Sequence, residues 1–265
     1  MDKTAGNELK IVYMDNSSTT KPFPEVVTAM GLALSDTFGN PSSLHRLGLE
    51  SEKAITQARH SVAALIGASK NEIYFTSGGT EANNWAIFGS LRPEQSESSH
   101  IITSSVEHPS VMSAVDRLKH LGCKITIIPV SRDGKVDPAE VLSNIRENTR
   151  LVSIMLVQNE IGAIQPCEVI GRALSNLGPR RPRFHVDAVQ AFARLKIDVV
   201  EWGIDLLSVS AHKIHGPKGI GALYIHQGTQ LDPFIFGGGQ EQGRRSGTEN
   251  VPGIIGLKTA CDLWS

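Results

Sequence analysis

Apolar and polar positions along the chain change period again and again. Ala54, Ala58, Val62, Leu65 and Ile66 recur at helical spacing, as do Val111, Val115 and Leu118. That spacing lays one apolar stripe along a helix. Between such stretches lie short apolar runs of strand length, at 73–76, 100–103, 124–129, 150–156, 184–186, 206–209 and 220–225. Their nearly continuous apolar character predicts strands buried on both faces. Strand, helix and strand in repetition predict an α/β domain with a mostly parallel sheet flanked by helices. Linkers are short; the loosest, 92–99, is polar and serine-rich and reads as a surface loop. From Val251 a new apolar helical pattern begins and runs on to the end at Ser265.

Composition narrows the function classes. The chain has 265 residues, 40% hydrophobic and 20% charged, with a formal net charge of -1. Such a balance gives no electrostatic footprint for nucleic acid or an anionic membrane. The local basic run Arg180-Arg181-Pro182-Arg183 reads as a solvated loop. Three cysteines, Cys123, Cys167 and Cys261, lie far apart, which argues against a disulfide framework and for a reducing compartment. The start is polar and no apolar run approaches a bilayer's thickness, so a soluble, cytoplasmic chain is expected. No cysteine pair has zinc-ligand spacing, and His212 and His215 have no third ligand nearby, so no metal is expected.

Polar residues cluster just after the predicted strands, where open α/β sheets bind ligands. Four segments stand out. Thr76-Ser77-Gly78-Gly79-Thr80-Glu81 leads from a strand into a helical pattern; glycines and exposed N–H groups at a helix start suit a phosphate, although the same residues also make a plain capped turn. In Ser105-Val106-Glu107-His108, the histidine suits ring stacking or proton transfer, or is a satisfied histidine without a task. Asp187, in His185-Val186-Asp187-Ala188-Val189-Gln190, can pair with a ring N–H cation or cap a helix. Gln190 reaches the same pocket if the chain turns helical there. Lys213, in Ser210-Ala211-His212-Lys213, directly follows a buried strand. Desolvation lowers a lysine's pKa and makes its amine a nucleophile toward aldehydes. Ser210 and His212 can donate to a phosphate. Together the segments offer an anion cup, a ring stacker, a carboxylate for a pyridinium and an amine for an aldehyde, which are the complements of pyridoxal phosphate.

These residues resemble the cysteine desulfurases of the NifS/IscS type, class V aminotransferase relatives among the fold-type-I pyridoxal phosphate enzymes. Further matching stretches are Tyr13-Met14-Asp15-Asn16-Ser17-Ser18-Thr19-Thr20, Phe38-Gly39-Asn40-Pro41-Ser42-Ser43, Asn159-Glu160-Ile161-Gly162 and Arg245-Ser246-Gly247-Thr248-Glu249-Asn250. The likeness runs in order along nearly the whole chain, and selenocysteine lyases share most of it. It implies a cofactor bonded through Lys213, with Asp187 on the pyridine nitrogen and His108 stacked on the ring and moving protons. Gln190 would bond the ring oxygen. Gly79, Thr80, Ser210 and His212 would hold the phosphate, and Asn159 would contact cofactor or substrate. Thr248 would reach the phosphate of a partner subunit, implying a homodimer. The implied reaction converts L-cysteine to L-alanine, passing sulfur to an enzyme cysteine and on to a sulfur-acceptor or scaffold protein, as in iron–sulfur cluster assembly. Losing Asp187 would cost roughly 3–5 kcal/mol if the ion pair is buried.

Family members continue into a small C-terminal domain that carries the persulfide-forming cysteine and an arginine for the substrate carboxylate. The expectation is therefore an N-terminal arm over 1–20, a cofactor-binding large domain over 21–250, and the truncated start of an interdomain helix over 251–265. Cys123 reads as core, and Cys261 lies in the terminal apolar helix. Cys167 follows Pro166 at a helix start, which favours a thiolate, but no mobile loop surrounds it and it too reads as structural. Three readings stay open: a desulfurase fragment, a catalytically silent cofactor-binding or assembly partner, and another pyridoxal phosphate reaction such as selenocysteine cleavage, β-elimination or transamination.

Overall fold

In the computed structural model, which describes residues 11–91 and 98–265, each expected apolar run forms a strand. In chain order these are β1 (Ile73–Thr76), β2 (His100–Ser104), β3 (Lys124–Ile128), β4 (Thr149–Met155), β5 (Arg183–Asp187), β6 (Leu206–Ser210) and β7 (Gly221–Ile225). They build one seven-stranded sheet in the order β1-β7-β6-β5-β4-β2-β3. The pairs from β3 across to β6 are parallel. β7 runs antiparallel to both β6 and β1, so β1 and β6 point the same way and their carboxyl ends open on one side. The polar 92–97 part of the expected surface loop lies outside the described residues, as do residues 1–10 of the N-terminal arm.

Neighbouring residues in a strand face opposite sides of a sheet, and here both sides are apolar. Ile101, Leu151, Leu206 and Leu223 pack with α3 (Gly79–Gly89) and α4 (Pro109–His120) in one cluster. Their neighbours Ile102, Val152, Leu207 and Tyr224 join a second cluster with α2 (Arg46–Ala64) and α6 (Cys167–Ser175). α1 (Pro24–Asp36) and α7 (Val251–Trp264) complete that second layer, and Val251, Ile254, Leu257, Ala260 and Cys261 are buried in the same core. The short α5 (Pro138–Ser143) precedes β4.

β3 departs from the expected burial. It lies at the sheet edge, and its Lys124 and Ile127 are exposed. An apolar run cannot say whether its strand will have one neighbour or two. The basic run also differs from a solvated loop. Arg181 forms a two-pronged ion pair with Asp205 at 2.7 and 2.9 Å, and Arg183 opens β5 with a bond to Ser90 O at 2.9 Å. No helix among the described residues is long and apolar enough to cross a membrane.

His185 is fully buried between β4 and β6, with Nδ1 2.8 Å from Ser153 Oγ and Nε2 3.0 Å from Ser208 Oγ. Burial pushes its pKa down to about 3. A histidine lowered in the native state destabilises the fold as pH falls, because the unfolded chain takes up a proton the native state refuses. The chain should lose stability between about pH 6.5 and about 3. His185→Gln should flatten this slope, whatever its cost at neutral pH, as read from Tm against pH by circular dichroism.

Candidate active site

The carboxyl ends of β1, β2, β4, β5 and β6 converge on a cleft of about 280 Å³. Its walls include Gly79, Thr80, His108, Asn159, Asp187, Gln190, Ser210, His212 and Lys213. These are the residues singled out in the sequence, save Thr248, which is exposed and does not line the cleft. β2 neighbours both β3 and β4, so strand order reverses beside this cleft, at the kind of switch point where α/β sheets take ligands.

The segment expected to form an anion cup is built by close backbone approach. Gly78 sits at φ 153°, a conformation side chains resist. A Cβ on Gly79 would stand 2.6 Å from Val189 Cγ2. α3 therefore starts hard against the β5 and β6 ends, with the N–H groups of its first turn lacking intrahelical partners. Glu81 in that turn accepts from Ser77 N–H at 2.9 Å and from Arg245 Nε at 2.7 Å. Burial works to raise the Glu81 pKa, but these donors outweigh it and the net shift is downward. The Arg245 pair ties the 237–250 segment, which carries Thr248, to the cup. Nearby, Glu241 bonds both Arg59 and Phe75 N–H.

Asp187 is buried at the end of β5. Its Oδ2 accepts from Asn83 Nδ2 at 2.7 Å and its Oδ1 from Val189 N–H at 3.0 Å. Burial raises its pKa against the pull of those donors and of the His108 and Lys213 charges. After Asp187 the chain makes a turn rather than the helix imagined for it, yet Gln190 still reaches the cleft, donating from Nε2 to Ser17 O at 2.8 Å. Asn83 also donates to Ser110 Oγ at 2.8 Å, while its own Oδ1 is buried without a partner among the described residues. Ser110 Oγ lies 2.8 Å from His108 Nδ1, and Ser110 N–H donates to the same nitrogen at 3.1 Å. Neutral His108 therefore carries its proton on Nε2.

Lys213 lies in a single 3₁₀ turn, Ala211–Lys213, after β6. Its ammonium donates to Ser18 O at 2.9 Å and to Ser17 O. Burial lowers its pKa, and Arg194 adds to the shift, while Asp187 and Asp15 oppose it. The 15–20 segment is stitched to this turn. Thr20 N–H and Oγ1 both bond His212 O, at 2.9 and 2.8 Å, and His212 Nδ1 lies 3.1 Å from Thr19 Oγ1.

The sequence reading missed Asn83 and Ser110 as linkers and the Ser17 and Ser18 carbonyls as a lysine rest. The first pair was open to inference, since Asn83 falls one helical turn after Gly79. The carbonyls carry no side-chain signal.

The family model described as aminotransferase class-V matches residues 12–265. The chain belongs to this family. It is 49% identical over 261 residues to a cysteine desulfurase IscS of Methanosarcina thermophila, covering 98% of this chain and 64% of that protein. A cysteine desulfurase IscS of Dictyoglomus turgidum is 48% identical over 252 residues, covering 95% and 63%. The chain thus spans somewhat under two thirds of these curated relatives. Among solved structures, SspA in complex with cysteine superposes with a TM-score of 0.90 at 40% identity, covering 95% of this chain and 72% of that one. A NifS-like protein gives 0.90 at 40%, covering 96% and 69%. The sheet with its flanking helices is the fold-type-I large domain that these class-V relatives share.

All three cysteines are free and buried, and none lines the cleft. Burial raises the Cys123 pKa, and raises Cys167 and Cys261 further. The helix start at Cys167 therefore yields no thiolate. Ellman's reagent should find almost no reactive thiol in the native chain at pH 8 and all three in denaturant; one fast-reacting native thiol would contradict this burial.

Proposed function

We propose that this chain binds pyridoxal phosphate at Lys213 and serves a cysteine desulfurase, acting on L-cysteine. The observation that carries the reading is that Lys213, Asp187 and the amino end of α3 face one cleft. The residues fit the group. The cleft wall that Gly79 keeps open, with Thr80, Ser210 and His212 beside it, suits a phosphate. Asp187 is the one carboxylate among the described residues of the lining, suited to a ring N–H cation. Bound there, pyridoxal phosphate supplies an aldehyde for an amino group and a protonated ring that draws electrons from the adjoining Cα.

The protein's part follows from its own groups. The lowered pKa of Lys213 raises its share of free amine, so it would be the group that holds the aldehyde and, when free, the base placed to take a proton from Cα. Asp187 keeps the ring nitrogen protonated, and Asn83 with Val189 N–H holds that carboxylate in place. His108, oriented by Ser110, stacks on the ring and relays a proton from Nε2. Asn159 and Gln190 contact cofactor or substrate, and Thr248 reaches the phosphate of a partner subunit in a homodimer. The cysteine desulfurase names of the relatives and the bound cysteine in the SspA structure support this choice of substrate. A sulfur-acceptor or scaffold protein in the cytoplasm would receive the sulfur.

The purified chain with pyridoxal phosphate should show the visible absorption band of lysine-bound cofactor. Borohydride should then fix the cofactor to the Lys213 peptide, as read by mass spectrometry. Lys213→Ala should lose both signals, and an unchanged band in that variant would overturn the reading. Because the three thiols are buried away from the cleft, L-cysteine should perturb the band while releasing little alanine or sulfide from this chain alone.

A further inference from the structure

Glu107 precedes His108 in the turn after β2, but its side chain points inward and is buried. Oε1 accepts twice, from Ser104 Oγ at 2.6 Å and from Met155 N–H at 2.9 Å. Oε2 is buried with no partner among the described residues. The groups that face it are Ser104 on its own segment, Met155 N–H on β4, Asp187 on β5 and the Cys167 thiol on α6. The charged neighbour that bears on it is Asp187, another acid.

This asymmetry suits an acid rather than a carboxylate. In a neutral carboxyl group the carbonyl oxygen accepts and the hydroxyl is the other oxygen. A carboxylate would leave half its charge on a bare, buried Oε2, a larger cost than an unpaired hydroxyl. Two buried acids within electrostatic reach do not both ionise readily. A cation opposite Asp187, as the proposed function supplies, keeps the charge on Asp187 and the proton on Glu107. Burial first, and then Asp187, raises the Glu107 pKa, against the Ser104 and Met155 donors, to about 8.

We infer that Glu107 is a positioning residue that works as an uncharged carboxylic acid. It ties the His108 turn to the end of β4 and leaves Asp187 the one negative charge beneath the cleft, and losing its proton loosens both. The role at the cleft rests on the proposed function; the protonation state does not.

The test compares the parent chain with Glu107→Gln, which keeps an uncharged acceptor for both donors, and with Glu107→Ala, which removes it. A carboxyl group raised in the native state costs stability as pH climbs from its unfolded to its folded pKa. The Tm of Glu107→Gln should therefore gain on the parent between about pH 4.5 and about 8 and hold level above. The infrared difference between them at pH 6 should show a carboxylic-acid carbonyl stretch that fades above about pH 8. Pyridoxal phosphate should bind Glu107→Gln at pH 7 within a few-fold of the parent, and without the parent's weakening above pH 8. Glu107→Ala should bind about tenfold or more weakly, or fail to fold. A pH-independent Tm gap with no acid band would overturn the inference, as would a Glu107→Gln variant that binds as poorly as Glu107→Ala. If the cofactor binds nowhere on the chain, the proposed function fails while the Tm and infrared arms still decide the state of Glu107.

Discussion

A carboxylate at the end of a central strand gives up most of its water, and the structure must return what water supplied. At Asp187 the return comes from the Asn83 amide on α3 and from Val189 N–H in the turn after β5. Those bonds fix α3 and the turn after β5 relative to each other. Asn83 passes the constraint to Ser110, and Ser110 passes it to the His108 ring. The remaining imbalance, a pKa still raised by burial, marks a site suited to one more positive charge. The cup, the histidine and the lysine take their places around this need.

The sheet makes that arrangement affordable in packing terms. Its two faces are covered by separate apolar clusters, so the strand ends are held by many small contacts rather than by the polar network itself. The network can then be tuned for chemistry. His185 illustrates the layering, since it lies beneath Asp187 in the same strand, is kept neutral by burial and is bonded by serines on both sides. Polar groups deeper in the sheet are satisfied and silent, and those at the rim are left partly unmatched.

Much of this was legible along the chain. The seven strand runs stand out because residues covered on both faces leave no polar gap, and Lys213 and Asp187 stand out because a charge directly after such a run is costly. What stayed hidden depended on topology. β3 reads as buried because KITII looks alike at an edge and in the middle. The Asn83–Asp187 and Glu81–Arg245 bonds join residues more than a hundred positions apart, and nothing local marks either partner. Glu107 was quoted only as part of a motif, because neither burial nor the direction of a side chain is written in a dipeptide.

The stitching of residues 15–20 to the lysine turn has a further meaning. Thr20 bonds His212 across 192 positions, and Lys213 reaches Ser18 across 195. β1, which leads into the start of α3 at the cleft, pairs with β7, at the far end of the sheet-forming sequence. A chain leaving the ribosome thus carries its first cup and clasp residues long before their partners exist. Contacts so distant in sequence form late and slowly. The cleft is a product of the finished fold, and its lining comes together after synthesis rather than at any stage within it.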